Sequence, residues 1–167
     1  NGNMIEDGIL PALHARLSTA LAPPTAPLVR FEADGVLVGE LTEPRARRLA
    51  AFAEVFDVDA RRVTFVRGCA SIEARTSATD LVARTLSAEG ALSAWRDERY
   101  EVRAHDAAPP AFLLERAAAR YFGIRTRAVH VNGLVDTGTG AAMWIARRSS
   151  TKAIDPGMLD NLVGGGI

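Results

Sequence analysis

The stretch that decides the expected fold lies at residues 156–167, which read Pro156-Gly157-Met158-Leu159-Asp160-Asn161-Leu162-Val163-Gly164-Gly165-Gly166-Ile167. Because glycine has no Cβ and tolerates positive φ, a glycine pair after an apolar segment predicts a tight turn with exposed backbone carbonyls. Such carbonyls suit a hard divalent cation, which prefers oxygen ligands. No carboxylate follows Gly164 in the sequence to hold that cation. We therefore interpret the stretch as the entrance to a catalytic loop and helix.

Three cationic residues stand just upstream of this stretch, namely Arg147, Arg148 and Lys152. They follow the apolar segment 142–146, which we predict to be a strand, and they precede the glycine-rich turn. Arginine binds phosphate through two parallel N–H donors, so cations at a strand end can neutralise a diphosphate. The alternative interpretation is an exposed basic strand end that binds no ligand.

Composition and charge argue against several classes of protein. The 167 residues are 48% hydrophobic and 24% charged, which is typical of a folded globular protein. Twenty basic and twenty acidic residues cancel, so we expect neither nucleic acid nor a membrane as partner. The single cysteine, Cys69, is expected to be buried rather than nucleophilic and indicates a reducing cytoplasm. No apolar run has the form of a membrane span or a secretory signal.

Spacing and turn residues predict the first elements of the chain. Apolar residues at four-residue spacing over residues 5–21 form one stripe, which predicts a packing helix. Residues 28–31 and 36–38 flank Asp34 and Gly35, and a turn of this composition predicts a β-hairpin.

Two further helices are expected after the hairpin. The first begins at Thr42 and carries an apolar face that extends to Phe56. The second covers residues 78–87, carries Leu81, Val82 and Leu86, and ends at Gly90 because glycine readily takes a left-handed conformation.

Strands dominate the remainder of the predicted structure. Residues 95–102 predict a half-buried strand, and the Ala- and Pro-rich connection at 106–110 is the best domain boundary. A helix is expected from Pro110 to Gly123, followed by strands over 128–135 and 142–146. The predicted fold is α/β in the α+β sense, with helices and a small mixed or antiparallel sheet. Residues 1–108 would form one domain and residues 109–167 the start of a second.

The C-terminal segments resemble the Nudix hydrolases. Residues 144–149, Lys152, residues 156–160 and the glycine pair are similar to the first strands of a Nudix domain. The family signature is a Gly, five residues, a Glu, seven residues, Arg-Glu and a Glu-Glu pair, and Gly165 would be its first glycine. Residues 95–102 and 112–117 are similar to the domain of undefined function that precedes the Nudix domain in one branch, which is related to thiamine pyrophosphokinase.

The resemblance implies a reaction and a cofactor. Nudix enzymes hydrolyse organic diphosphates with Mg²⁺ or Mn²⁺, which polarises the diphosphate and helps to generate the attacking hydroxide. Thiamine diphosphate or its damaged analogues would be the first substrate, and a sugar or nucleoside diphosphate the second. The carbonyl of Gly164 is implied as a metal ligand, whereas the metal-binding glutamates would lie beyond Ile167. We therefore expect no catalytic residue within the chain, no activity of the chain alone, and a Glu-rich helix after Ile167 in its parent.

Two functions remain open from the sequence. The chain is either the accessory domain and first strands of a Nudix α/β/α sandwich, or a non-catalytic binding or dimerisation module derived from a Nudix protein. His130 does not decide between them, because a histidine between Val129 and Val131 is more typical of a strand face than of a catalyst. The sequence also leaves open whether the chain forms a homodimer.

Overall fold

The computed structural model describes residues 11, 14–19, 22, 25–152 and 155–166. Most of the apolar stripe predicted over residues 5–21 lies outside the described residues. Within it, residues 14–19 are helical and exposed, with Leu17 half exposed to solvent. The helices that follow are α1 (Glu43–Leu49), α2 (Ile72–Ala88) and α3 (Arg116–Ala119), with a 3₁₀ turn at Arg67–Cys69. The strands are β1 (Val29–Ala33), β2 (Val36–Leu41), β3 (Phe56–Val58), β4 (Arg62–Phe65), β5 (Arg99–Val102), β6 (Phe112–Glu115), β7 (Ala128–Val131), β8 (Leu134–Asp136), β9 (Ala141–Met143), β10 (Ala146–Arg147), β11 (Leu159–Asp160) and β12 (Val163–Gly166).

A four-stranded mixed sheet has the order β2-β1-β4-β3. β1 runs parallel to β4, whereas the β1–β2 and β3–β4 pairs are antiparallel. The predicted β-hairpin is confirmed, since Asp34 at φ 51° and Gly35 at φ 75° both take the left-handed conformation that a two-residue turn requires. Helices combined with small mixed and antiparallel sheets confirm the predicted α+β class.

Aromatic rings fill the centre of the core. Phe31 on β1 is fully buried, and its ring lies 5.5–5.9 Å from the rings of Phe56, Phe65, Phe112 and Phe122. Ring pairs at these separations add to the free energy of burial. The cluster joins the four-stranded sheet to β6 and to the turn after α3. Cys69 is also buried, as its sequence context predicts.

The helix expected from Thr42 to Phe56 is shorter than predicted. α1 begins after Thr42 as expected but ends at Leu49, where the backbone N–H of Phe52 donates to the Leu49 carbonyl in a turn. Phe56 belongs to β3 and pairs with Phe65 across the sheet. This pairing of the buried Phe56 with the partly buried Phe65 places residue 56 in the sheet and ends the helical periodicity.

The helix predicted over residues 78–87 begins earlier than expected. α2 starts at Ile72, because the Ser71 hydroxyl caps it by accepting a hydrogen bond from the backbone N–H of Ala74 at 3.1 Å. Its predicted end is confirmed, with Gly90 at φ 74°. Of the apolar residues that it was expected to carry, Val82 and Leu86 are fully buried, whereas Leu81 is 58% exposed. The buried face consists of Arg75, Thr76, Thr79, Val82, Ala83 and Leu86.

The prediction of a helix from Pro110 to Gly123 was wrong over its first half. Phe112–Glu115 is strand β6, which pairs with β5 in an antiparallel hairpin, and only Arg116–Ala119 is helical. Val102 and Phe112 are both fully buried and face each other in register, so the strand pairing brings both side chains into the core. This hairpin crosses the predicted division between residues 108 and 109, and residues on both sides of it share one core.

The residues after Ile124 form three two-stranded antiparallel sheets, β7–β12, β8–β9 and β10–β11. The strand predicted over residues 128–135 is interrupted at Asn132 and Gly133. The tight turn predicted at the glycine pair was wrong, because Gly164 and Gly165 lie in β12 and pair with His130 and Val129 of β7. Backbone pairing with β7 holds these glycines extended.

Candidate functional site

Arg147 and Arg148 lie on the hairpin formed by β10 and β11. The backbone N–H of Arg148 donates to the carbonyl of Met158 at 2.9 Å, which extends the pairing of the two strands by one residue. The guanidinium of Arg147 donates to the carbonyl of Gly157, also at 2.9 Å. The position of both arginines at the end of an apolar segment is therefore as the sequence predicts.

The guanidinium of Arg148 also forms an ion pair with Asp160. Its NH1 donates to Oδ2 of the carboxylate at 2.6 Å, and the two side chains are 26% and 28% exposed. This hydrogen bond lowers the pKa of Asp160, and the backbone N–H of Asn161 lowers the pKa of that carboxyl further. The ion pair holds the Arg148 head group close to β11.

Asn161 connects this ion pair to β7. Its amide oxygen lies 2.7 Å from Nδ1 of His130, and its amide nitrogen donates to Oδ1 of Asn132 at 2.7 Å. Because an amide oxygen can only accept, Nδ1 of His130 carries the proton in this arrangement. The side chain of Asn161 therefore fixes the orientation of the imidazole.

The imidazole of His130 lies against Gly164. The two residues pair directly across β7 and β12, and Nδ1 lies 3.1 Å from where a Cβ on Gly164 would be. Arg148, Asp160, Asn161, His130 and Gly164 thus form one connected set, which we call the 148–164 cluster. Two of the predicted site residues, Arg148 and Gly164, meet in this set.

Lys152 and Arg147 lie beside the 148–164 cluster rather than in it. The backbone N–H of Lys152 donates to the carbonyl of Ser149 at 3.1 Å, and the Lys152 side chain is exposed. Arg147 is exposed as well and contacts the carbonyl of Gly157. Both cations remain accessible to an anionic ligand.

The described residues do not by themselves fit a Mg²⁺ or Mn²⁺ centre. Within the described ranges no group of three or more His, Cys, Asp or Glu side chains could hold a metal ion. The 148–164 cluster offers the Gly164 carbonyl, one imidazole, and a carboxylate already bound to Arg148. A hard divalent cation needs about six oxygen ligands, so this set is insufficient.

Sequence reasoning did not identify Asp160, Asn161 and His130 as members of a site. His130 was assigned to a strand face, and it does lie on β7. The hydrogen bond from His130 spans 31 residues to Asn161, so no local pattern could reveal it. The adjacent Asp160-Asn161 pair on an otherwise apolar stretch was the available signal.

Comparison with known proteins identifies the family. A family described as a domain of unknown function, DUF4743, matches residues 19–126. The chain belongs to the DUF4743 family. It is also 35% identical over 141 residues to Nudix hydrolase 24, chloroplastic, of Arabidopsis thaliana, covering 83% of this chain and 39% of that protein.

Two further relatives show the same partial coverage. Nudix hydrolase 20, chloroplastic, of Arabidopsis thaliana is 45% identical over 95 residues, which is 57% of this chain and 25% of that protein. An uncharacterized protein of Saccharomyces cerevisiae is 36% identical over 121 residues, covering 70% of this chain and 35% of that protein. The DUF4743 chain is thus related to proteins named Nudix hydrolases and spans well under half of their length. The relation to thiamine pyrophosphokinase stays a prediction.

The expected location in the cytoplasm is not confirmed. The two Arabidopsis relatives are named chloroplastic. Among the described helices of the DUF4743 chain, none has the length and apolar character needed to cross a membrane.

The DUF4743 region contains a buried arginine that holds three elements together. The side chain of Arg75 on α2 is 4% exposed. Its guanidinium donates to the carbonyls of Cys69 at 2.9 Å, Ala70 at 2.9 Å and Ala111 at 3.3 Å, and to the carboxylate of Asp34. These bonds join α2 to the β1–β2 turn and to the start of β6, which is a structural role.

Proposed function

We propose that the DUF4743 chain is the accessory domain and the first strands of a Nudix-type hydrolase of organic diphosphates. The observation that carries the proposal is the similarity to Nudix hydrolase 24. That similarity extends over 83% of the chain, which is more than residues 19–126 of the family match, so it includes residues outside the accessory region. Under this proposal the accessory domain ends near residue 126, because residues up to Ile124 share the core of the four-stranded sheet.

The exposed apolar surface of the strands after residue 126 supports this division. Large contiguous apolar surfaces in a folded protein mark contacts with another part of the protein or with a partner. We infer that further elements of the Nudix domain cover this surface in the whole protein. The exposed side chains are Val129, Val131, Leu134, Val135, Met143, Trp144, Ile145, Met158, Leu159, Leu162 and Val163.

Arg147, Arg148 and Lys152 would contact the diphosphate. All three lie on β10 or in the turn that follows it, and Arg147 and Lys152 are exposed. The Arg148 guanidinium lies on the same hairpin, where Asp160 holds it. Thiamine diphosphate or its damaged analogues are the substrates to test first, followed by sugar and nucleoside diphosphates.

The proposal assigns Mg²⁺ or Mn²⁺ to the whole protein rather than to this chain. Nudix hydrolases use a divalent cation to polarise the diphosphate. The backbone carbonyl of Gly164 would contribute one ligand, and acidic residues of the whole protein outside residues 1–167 would contribute the others. The chain alone is therefore expected to be inactive.

The second candidate is a non-catalytic binding or dimerisation module. The same exposed apolar strands favour it, because a second copy of the chain could cover them as well as a larger domain could. Sedimentation velocity of the 167-residue chain distinguishes the two hypotheses. A monomer favours the hydrolase hypothesis. A tight dimer of the chain, together with no activity of the full-length protein, supports the module.

Hydrolysis of thiamine diphosphate by the full-length protein with Mg²⁺ tests the proposed function. Arg148→Ala should weaken substrate binding about ten- to a hundredfold, because one charge-assisted contact to phosphate is lost. Asp160→Asn is the matched control, since it breaks the same ion pair and leaves the arginine charge in place. If Arg148 binds phosphate, Asp160→Asn retains binding; if Arg148 only organises the hairpin, both variants lose it equally. Unchanged kinetics for the alanine variants of Arg147, Arg148 and Lys152 would exclude them from the phosphate site.

A further inference from the structure

A pocket of about 320 Å³ lies where the DUF4743 region meets the strands that follow it. One wall comes from β5 and the residues after it, and the other from residues 125–127, which lead into β7. Its volume falls at the lower end of the range for sites that bind small molecules. Four guanidinium groups line it, those of Arg99, Arg103, Arg125 and Arg127.

Two of these arginines are compensated by carboxylates of the same pocket. Arg103 forms an ion pair with Glu101 at 2.5 Å, and Arg127 forms one with Asp106. Arg103 also donates to the carbonyl of Ala108. These contacts hold the two side chains in place along the wall.

The other two arginines are poorly compensated. The nearest carboxylate to Arg99 is that of Asp80 at 3.7 Å, and Asp80 already pairs with Arg84 at 3.0 Å. Arg125 makes no hydrogen bond or ion pair to any residue in the part of the chain that the structure describes. A chain with no net charge overall therefore concentrates an excess of positive charge in one small pocket, since Arg99 shares its carboxylate with Arg84.

We propose that this pocket binds the phosphate or diphosphate group of a small anionic molecule. Guanidinium groups match phosphate oxygens bidentately, and two poorly compensated arginines suit a multiply charged phosphate better than a single carboxylate. Tyr100 lines the same pocket and offers an aromatic face to the remainder of the ligand. The site goes beyond the proposed function, because Arg147, Arg148 and Lys152 are not among its lining residues.

Isothermal titration calorimetry of the 167-residue chain with inorganic diphosphate tests the proposal, with inorganic phosphate as a second probe. The wild-type chain should bind diphosphate, and Arg125→Ala should weaken binding about tenfold. Arg99→Ala should act in the same direction. Arg61→Ala is the matched control, since it removes one exposed arginine outside the pocket and should leave the affinity unchanged.

Asp106→Asn is a variant in which diphosphate binding should become tighter. It removes a carboxylate that competes for Arg127, so diphosphate should bind about tenfold more tightly. A mere loss of folding could not produce that result. Thermal melting of each variant identifies any that fails to fold, and Arg125→Lys then replaces a failed alanine variant because it keeps the charge but not the bidentate geometry.

Three results with the wild-type chain and the single variants would overturn the proposal. They are the absence of measurable diphosphate binding by the wild-type chain, equal losses in Arg61→Ala and Arg125→Ala, and no gain in Asp106→Asn. The triple alanine variant of Arg147, Arg148 and Lys152 separates this pocket from the proposed diphosphate site. If the triple variant keeps diphosphate binding that Arg125→Ala weakens, the pocket is supported, and if it loses all diphosphate binding, the ion sits elsewhere and the pocket proposal fails. Hydrolytic activity enters none of these measurements.

Discussion

Gly164 lies directly opposite His130 in the β7–β12 ladder, and Nδ1 of the imidazole lies 3.1 Å from the position of a Cβ on residue 164, which is a tight contact. The glycine is therefore required for a close approach rather than for a turn. The same imidazole is held by Asn161, which follows the carboxylate that binds Arg148. A substitution at residue 164 should thus affect the whole 148–164 cluster.

Gly164→Ala is expected to displace the His130 ring and to break its hydrogen bond to Asn161. Overpacking of this kind costs about 1 kcal/mol or more when the neighbour cannot move freely. Gly165→Ala is the matched control, because a Cβ there meets no atom within 4 Å. Nitrogen-15 NMR of the His130 ring should change in the first variant and not in the second. Identical spectra for both variants would show that the ring moves aside without cost.

The Arg148–Asp160 pair makes the hairpin sensitive to acid. The hydrogen bond from Arg148 lowers the pKa of Asp160 below its ordinary value of 3.8 in the folded chain. A lowered folded pKa stabilises the hairpin above the unfolded pKa, and this contribution is lost as the pH falls through the folded pKa. Carbon-13 NMR titration of Asp160 should therefore show a midpoint below 3.8, which Arg148→Met raises.

Arg147→Met is the control for that titration. It removes the neighbouring cation, whose guanidinium binds the carbonyl of Gly157 and not Asp160. The titration midpoint of Asp160 should then stay close to that of the wild type. Equal shifts in both variants would mean that general charge, not the specific ion pair, sets the pKa of Asp160.

Local signals in the sequence predict some elements and not others. The β1–β2 hairpin follows from Asp34 and Gly35, because two residues suffice to specify its turn. β6 does not, because a short apolar run such as 112–114 fits either a helix or a strand. Its partner β5 decides the matter, and that pairing is a long-range contact.

The residues of the candidate site also differ in whether the sequence could predict them. The cations at the end of β10 are visible in the sequence because they are consecutive or nearly so. The contact of His130 with Asn161 is not, because the chain must first fold β7 against β12. Resemblance to a known family implies a reaction class for the whole protein but does not reveal this contact.

Arg75→Met should destabilise the DUF4743 domain strongly. The substitution keeps most of the apolar side chain but leaves the buried carbonyls of Cys69 and Ala70 without their charged donor. The expected loss in the free energy of unfolding is about 3 kcal/mol. Arg84→Met is the control, since the Arg84 side chain is 59% exposed and its pair with Asp80 should contribute less than about 1 kcal/mol. Urea denaturation of the 167-residue chain measures both, and similar losses would refute the structural role of Arg75.

Gly123→Ala should be among the single substitutions that destabilise the DUF4743 domain most. Two effects contribute, backbone strain at positive φ and overlap of the new Cβ with a neighbouring strand. Gly123 has φ 63°, and a Cβ there would overlap the carbonyl of Glu40 on the facing strand. That strand cannot retreat easily, because the backbone N–H of Glu40 donates to the carbonyl of Gly123 at 3.1 Å.

Gly35→Ala isolates the conformational part of this cost. Gly35 has φ 75°, and a Cβ there meets no atom within 4 Å. The Gly35→Ala variant should therefore lose about 1 kcal/mol of its free energy of unfolding, from backbone strain alone. Gly123→Ala adds overpacking to that strain and should lose about 3 kcal/mol. Gly68→Ala has neither problem and should change the stability little. In urea denaturation, the loss in the free energy of unfolding should therefore be largest for Gly123→Ala, smaller for Gly35→Ala and smallest for Gly68→Ala. Equal losses at residues 123 and 35 would show that the chain relieves the overlap with Glu40 by a small shift of the backbone.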